Sequence, residues 1–357
     1  MKRYKQIDGI RAIAVLLVAM YHFWVVGGYK STGIELLNTF LSYGGEIGVT
    51  LFFILSGFGI YCCLFKEEQN HGNIRYITFI KKRLKRIYPQ YFACILILLL
   101  LSEGAIYISD GNLKSIFFHL LFIHNFFIST SGSINGVLWT MGVIFQFYLL
   151  SVILYKLVKK SPILIYIISI ILTILLKVLI FKYLDNLELD NMYLFIYGRQ
   201  LITALDNFLI GMVVAHMKLK NKKIKRNKWE IVKLISISLV FLVWILYGTQ
   251  YGTVYSNTIY GYLWHNITAF LLGIMVWISI NINLVFPKWI EKIMLFIAKY
   301  EYGIYIWHLV IVNNLYSKSP IIKAIADKGY WEFAILMLMI TIGAGYLSGK
   351  FLDIIRD

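Results

Sequence analysis

Residues 7–28 read IDGIRAIAVLLVAMYHFWVVGG, an apolar run long enough to cross a bilayer but interrupted by Arg11 and His22. Eleven residues at roughly 100° each return a helix to within about 20° of the same face, roughly 16 Å further along. One wall of this helix therefore carries a guanidinium near its start and an imidazole well inside. Ionisable groups in a bilayer cost at least about 2–3 kcal/mol each and face a cavity or pathway rather than lipid. A cation that can hold an anion, beneath an imidazole that can move a proton, points to chemistry inside a membrane.

The rest of the chain agrees. Of 357 residues, 59% are hydrophobic and only 15% charged, and the mean hydropathy is +0.72. A soluble domain of this length has no use for so much apolar surface. Apolar runs of about 20 residues predict spans near 9–27, 44–65, 88–108, 136–157, 162–183, 198–217, 230–249, 258–280, 300–316 and 330–352. The expected fold is all-α: a polytopic membrane protein of about ten transmembrane helices, one domain over 1–357, with no appended soluble domain.

The net charge of +17 has a direction. Twenty-five of the 35 Lys and Arg fall at the two termini and in the even-numbered loops, six fall in the opposite loops and four in the spans. The positive-inside rule then places both termini in the cytoplasm of a multi-pass plasma or inner membrane protein. This accounts for the basic excess without nucleic acid. MKRYK before an apolar run imitates a signal peptide, but Arg11 interrupts the core and no small-x-small cleavage site follows. Cys62, Cys63 and Cys94 read as buried free thiols, with neither disulfide nor metal spacing.

Two cytoplasmic segments are denser in charge than topology requires. In Ile80-Lys-Lys-Arg-Leu-Lys-Arg-Ile-Tyr-Pro89, Arg83 and Arg86 share one helical face, and Pro89 is read as the start of helix three. A basic turn beside a helix N-terminus suits phosphate. The second segment, Lys218 to Lys228, reads as positive-inside flanking with anionic lipid contact. Helix two carries glycines at 44, 45, 48, 57 and 59, which permit close helix approach.

Taken in order, these elements resemble the membrane acyltransferase family 3. Asp8-Gly9-Ile10-Arg11-Ala12 with His22 matches its Arg-x10-His signature. Gly48-Val-Thr-Leu-Phe-Phe-Ile-Leu-Ser-Gly-Phe58 follows, then Arg83-Leu-Lys-Arg-Ile-Tyr-Pro89, Leu138-Trp-Thr-Met with Gln146-Phe-Tyr148, Phe208-Leu-Ile-Gly211 and Tyr302-Gly-Ile-Tyr-Ile-Trp-His308. The chain departs from the family where many members carry a glutamate pair, here Ile144 and Phe145. It departs again at Thr50, where many have Asp or Glu. A carboxylate orienting the imidazole must then come from elsewhere, and Glu46 is the candidate.

The resemblance implies an acyl-CoA-dependent O-acyltransferase, acetyl-CoA being the expected donor, acting on an extracytoplasmic glycan or other hydroxyl acceptor. His22 is the expected catalytic base, with an acyl-histidine relay as the alternative, and His308 is a second catalytic candidate. Arg11, Arg83, Arg86 and Ser56 are the candidates for the donor, Arg11 being steadied by Asp8 three residues earlier. Trp139, Tyr305 and Arg199 are the candidates for the acceptor. Arg199 and Asp206, seven apart, are expected on one face of helix six as a buried ion pair. His265 reads as structural, and His119 and His124 as part of an amphipathic outer-surface segment or a lid. The other partners are membrane lipid and, compatibly with the sequence, a second copy of the chain. No metal is expected. The rival function is a transporter or flippase for a lipid-linked or anionic solute, using Arg11 and His22 as substrate and proton site.

Overall fold

Apolar segments in lipid have no water to satisfy their backbone, so each closes its hydrogen bonds internally as a helix. The computed structural model describes residues 4–100, 113–188, 191–220, 229–251, 254–282 and 286–356, and every regular element among them is helical. These are α1 (Lys5–Val26), α2 (Glu35–His71), α3 (Tyr76–Leu100), the short α4 (Leu113–Leu120) and α5 (Ile128–Ser131), α6 (Trp139–Lys160) and α7 (Pro162–Asn186). There follow α8 (Asn191–Tyr197), α9 (Leu205–Lys220), α10 (Trp229–Tyr251), α11 (Ile259–Asn281), α12 (Lys288–Lys318), α13 (Pro320–Lys328) and α14 (Tyr330–Arg356).

Eight of the described helices are long and apolar enough to cross a membrane: α1, α2, α6, α7, α10, α11, α12 and α14. The other two expected spans fall on α3 and α9. The basic run 80–86 forms part of α3, and the far end of that expected span, 101–108, lies outside the described residues. α9 has only 16 residues.

Two local expectations are corrected. Pro89 lies inside α3, not at its start, because the helix begins at Tyr76. The proline removes one N–H from the ladder, and α3 is tied nearby to α12, where the Tyr302 hydroxyl donates to the Ile87 carbonyl at 2.7 Å. The helix expected from 198 begins only at Leu205, and the preceding residues form turns in which the Thr203 hydroxyl donates to the Gly198 and Gln200 carbonyls.

The centre of the molecule is built from α1, α2, α9 and α12, with α1 packed on α2 and α12, and α2 on α9. Small residues set these approaches. Gly57 of α2 faces the Phe208 carbonyl of α9, and Gly211 of α9 faces the Ile54 carbonyl of α2, at distances no larger residue allows. Beside this crossing Phe208 stacks between Phe53 and Phe147, with centroids at 4.6 and 3.9 Å. α2 stops at Gly72, which takes a left-handed φ of 71° and donates its N–H to the Glu68 carbonyl.

Candidate active site

α1 and α12 run parallel, and two pairs of polar side chains join them. Arg11 meets Glu301, Nε to Oε1 3.8 Å, and Arg11 Nη1 lies 3.8 Å from Asp8 Oδ1. Further along, His22 meets His308, whose Nε2 lies 3.1 Å from His22 Nδ1. Glu301 and His308 are seven residues apart, which puts them on one face of α12 as Arg11 and His22 are on one face of α1. The Arg-x10-His wall thus faces a second wall of matching chemistry.

Backbone carbonyls fix both imidazole tautomers, since a carbonyl only accepts. His308 is fully buried, and its Nδ1 lies 2.6 Å from the Tyr305 carbonyl. That nitrogen carries the proton, which leaves Nε2 as an acceptor. His22 Nδ1 lies 2.9 Å from the Val18 carbonyl, so it too carries a proton, shared between Val18 and His308 Nε2. The lone pair of His22 is left on Nε2. No hydrogen bond to Nε2 is found among the described residues. Such an imidazole is poised to take a proton from an incoming hydroxyl.

Among the described residues Glu46 makes no hydrogen bond to His22. Arg199 pairs with Glu46 Oε1, while the Tyr255 hydroxyl donates to Oε2 at 2.8 Å and His265 Nε2 lies 3.3 Å from the same oxygen. Three side chains thus contact this carboxylate. His22 is held instead by a main-chain carbonyl and a second histidine.

Arg11 of α1, Ser56 of α2, and Arg83 and Arg86 of α3 line one cavity of about 290 Å³. Residues from α6 and α12 complete its wall, among them Thr140, Glu301 and Tyr305. Three guanidiniums separated by up to 75 positions in sequence therefore converge on one space. The Arg83 guanidinium lies 5.1 Å from the Phe79 ring centroid and 5.9 Å from that of Tyr148, and its buried Nε has no hydrogen-bond partner. A Cβ built on Gly59 would stand 3.7 Å from Arg11 Nη2, in ordinary van der Waals contact, so Gly59 lies beside the guanidinium without being required by it.

Tyr305 connects the cavity with the histidine pair. Its hydroxyl is 2.9 Å from Thr140 Oγ1, and its ring lies 5.6 Å from that of His308. An acceptor role was expected for Tyr305, but it forms part of the wall shared with the arginines. The other two acceptor candidates come together elsewhere. The Arg199 guanidinium lies 4.7 Å from the Trp139 ring centroid and also contacts the Phe195 and Tyr255 rings. Trp139 is buried, with Arg199 over its ring.

Arg199 does not pair with Asp206, because the helix begins after Arg199 and the face shared by positions seven apart never forms. Asp206 accepts from Asn266 at 2.9 Å, and Asn266 in turn accepts from the fully buried Lys177 at 3.2 Å. His119 and His124, expected on an outer surface, are both fully buried and stack with ring centroids at 3.9 Å. Neighbouring Asn125 exchanges side-chain hydrogen bonds with Gln200 at 2.8 and Gln146 at 2.8 Å, which fastens the short α4–α5 region to the turn that carries Arg199. Glu301 and Tyr255 went unread in the sequence. The spacing from Glu301 to His308 was a legible signal; nothing in the sequence links Tyr255 to Glu46.

A family model described as an acyltransferase domain matches residues 4–349. Among similar proteins is one of Staphylococcus aureus strain COL named Putative O-acetyltransferase, 28% identical over 335 residues, covering 87% of this chain and 51% of that protein. O-acetyltransferase OatA of Staphylococcus aureus strain NCTC 8325 is 25% identical over 346 residues, covering 88% of this chain and 52% of its own. The chain thus spans about half the length of the curated relatives it matches. No solved structure matches it at a significant level.

Proposed function

The chain belongs to the acyltransferase 3 family of multi-pass membrane proteins, and from that premise we propose that it transfers acetyl from cytosolic acetyl-CoA to a hydroxyl of an extracytoplasmic carbohydrate. One observation carries this reading: three arginines from two helices line a cavity whose wall, at Tyr305, touches the His22–His308 pair. The names of the similar proteins support O-acetyl transfer as the reaction.

With Lys and Arg placed inside, α1 runs outward from the cytoplasm, so Arg11 lies near the entrance and His22 deeper. Arg83, Arg86 and Arg11 bind the phosphates of the donor, with guanidiniums forking onto phosphate oxygens. Ser56 and Thr140 flank the path of the pantetheine arm. The roughly 16 Å between Arg11 and His22 along α1 is about the reach of that arm when extended. His22 Nε2 takes the proton of the acceptor hydroxyl as its oxygen attacks the thioester carbon. The C–O bond forms, the C–S bond breaks, and the imidazolium returns its proton to the leaving thiolate. While His22 is charged, its Nδ1–H stays bonded to the Val18 carbonyl and to the lone pair of His308. The Glu46–Arg199–Tyr255–His265 group beside Trp139 lies on the acceptor side and shapes that approach.

The test is label transfer. Inverted membrane vesicles containing the protein, given acetyl-labelled acetyl-CoA, are expected to accumulate base-labile label in glycan or lipid-linked sugar. Arg83→Ala combined with Arg86→Ala should raise the KM for acetyl-CoA by at least about tenfold, since hydrogen bonds to charged groups contribute about 1.5–3 kcal/mol each. Label that never leaves acetyl-CoA, together with solute flux in its absence, would establish transport instead. His308→Asn should lower turnover by about 100-fold, because His22 then loses the acceptor that shares its Nδ1 proton. The KM for acetyl-CoA should hold, as His308 lies off the cavity wall. A raised KM with unchanged turnover would contradict that role.

A further inference from the structure

We propose that Glu301 is the displaceable counter-ion of the arginine cavity, neutralising Arg11 before the donor arrives and yielding it to a donor phosphate. This rests on the acyl-CoA reading above. Among the described residues the cavity is lined by three guanidiniums, Arg11, Arg83 and Arg86, and by one carboxylate, Glu301. Asp8 approaches Arg11 as well, within its own helix.

The geometry of Glu301 is that of a loose partner. Its Oε1 is 3.8 Å from Arg11 Nε, beyond hydrogen-bond length, and its Oε2 is buried with no hydrogen-bond partner. A buried carboxylate that makes no hydrogen bonds is poorly compensated. The other membrane-embedded Arg–Glu pair is built differently. Glu46 is bonded to Arg199, Tyr255 and His265 at once, and Arg199 is packed among aromatic rings. That pair is made to last, whereas the Arg11–Glu301 pair keeps charge balance without committing the N–H groups of Arg11. Those groups remain available for phosphate oxygens, which bond guanidinium in a bidentate manner.

Glu301 then stays beside the phosphate as a like charge and weakens its binding. Acetyl-CoA and CoA carry the same phosphates, so whatever holds the donor holds the product equally, and such uniform binding lowers KM without raising kcat. A carboxylate at this point limits product retention.

The experiment compares wild type with Glu301→Gln in phosphatidylcholine nanodiscs, which present no net-anionic lipid, using calorimetry with CoA. Gln keeps the size and removes the charge. The expected result is CoA binding at least about 4-fold tighter in E301Q, the effect of deleting one like charge some 5 Å away even at a water-like dielectric. The KM for acetyl-CoA falls with it, and kcat does not rise. If Glu301 merely holds Arg11 in place, E301Q binds CoA more weakly or equally, and the inference is overturned. Should the Gln variant fail to fold, Glu301→Ser carries the same prediction of tighter binding. Wild-type protein that binds no CoA overturns the donor reading and this inference together, whereas wild-type binding with an unimproved E301Q overturns the inference alone.

Discussion

Replacing His22 with Ala is expected to cripple acetyl transfer and to leave CoA binding intact. General base catalysis contributes about 10²–10⁴-fold, and His22 Nε2 is the imidazole lone pair of the two to which no donor is found among the described residues. Turnover is therefore expected to fall by about 10²–10⁴-fold. Binding survives because Arg11 lies at the other end of α1, Arg83 and Arg86 lie on α3, and His22 is not among the residues that line the cavity. The two readouts are label transfer in vesicles and calorimetry with CoA. Wild-type-like turnover in His22→Ala would sink the mechanism, and loss of CoA binding would show that His22 serves the cavity instead. A rapid quench without acceptor separates the two forms of the chemistry. An acyl-histidine relay leaves label on the protein in wild type and none in His22→Ala, whereas a base leaves none in either.

The wall of α1 was legible because the period of a helix is a property of the backbone alone: Arg11 and His22 share a face whatever surrounds them. The same rule was available for Glu301 and His308 on α12, whose spacing of seven is equally readable. What the sequence did not carry is that these two walls face each other, since Arg11 and Glu301 are 290 positions apart. The partners of Glu46 were unreadable for the same reason. Glu46 was the candidate because the family's usual carboxylates are missing, but Arg199, Tyr255 and His265, which contact it, come from segments more than 150 positions away. For Arg199 and Asp206 the helical period was applied where the chain is not yet helical. At Pro89 the local rule favoured a helix start, and the tertiary setting of α3 overrode it. Arg83 and Arg86, read as one face of a basic turn, do lie together on the cavity wall.

Gly211→Ala is expected to unfold the centre of the molecule. A Cβ built on Gly211 would stand 1.9 Å from the Ile54 carbonyl oxygen, and one on Gly57 would stand 2.0 Å from the Phe208 carbonyl oxygen. Both obstacles are backbone atoms within helices, so no rotamer change relieves them. α2 and α9 must move apart by about 1 Å or more, and the ring stack of Phe53, Phe208 and Phe147 opens with them. Overpacking of flexible side chains already costs about 1–3 kcal/mol, so a clash of backbone against backbone should exceed about 3 kcal/mol. Folded, monodisperse protein in detergent should be nearly absent. Gly343→Ala is the control, because nothing lies within 4 Å of that Cβ inside α14. There the better helix propensity of Ala, about 1 kcal/mol, should leave Tm unchanged or slightly raised. A Gly211→Ala protein with wild-type Tm would mean that α2 and α9 do not cross at these glycines. The consequence reaches the site, because α2 carries both Glu46 and Ser56 while α9 continues directly from the turn that holds Arg199. Separating the two helices pulls the Glu46–Arg199 pair apart, so any residual folded protein should lose acceptor-side function before it loses CoA binding.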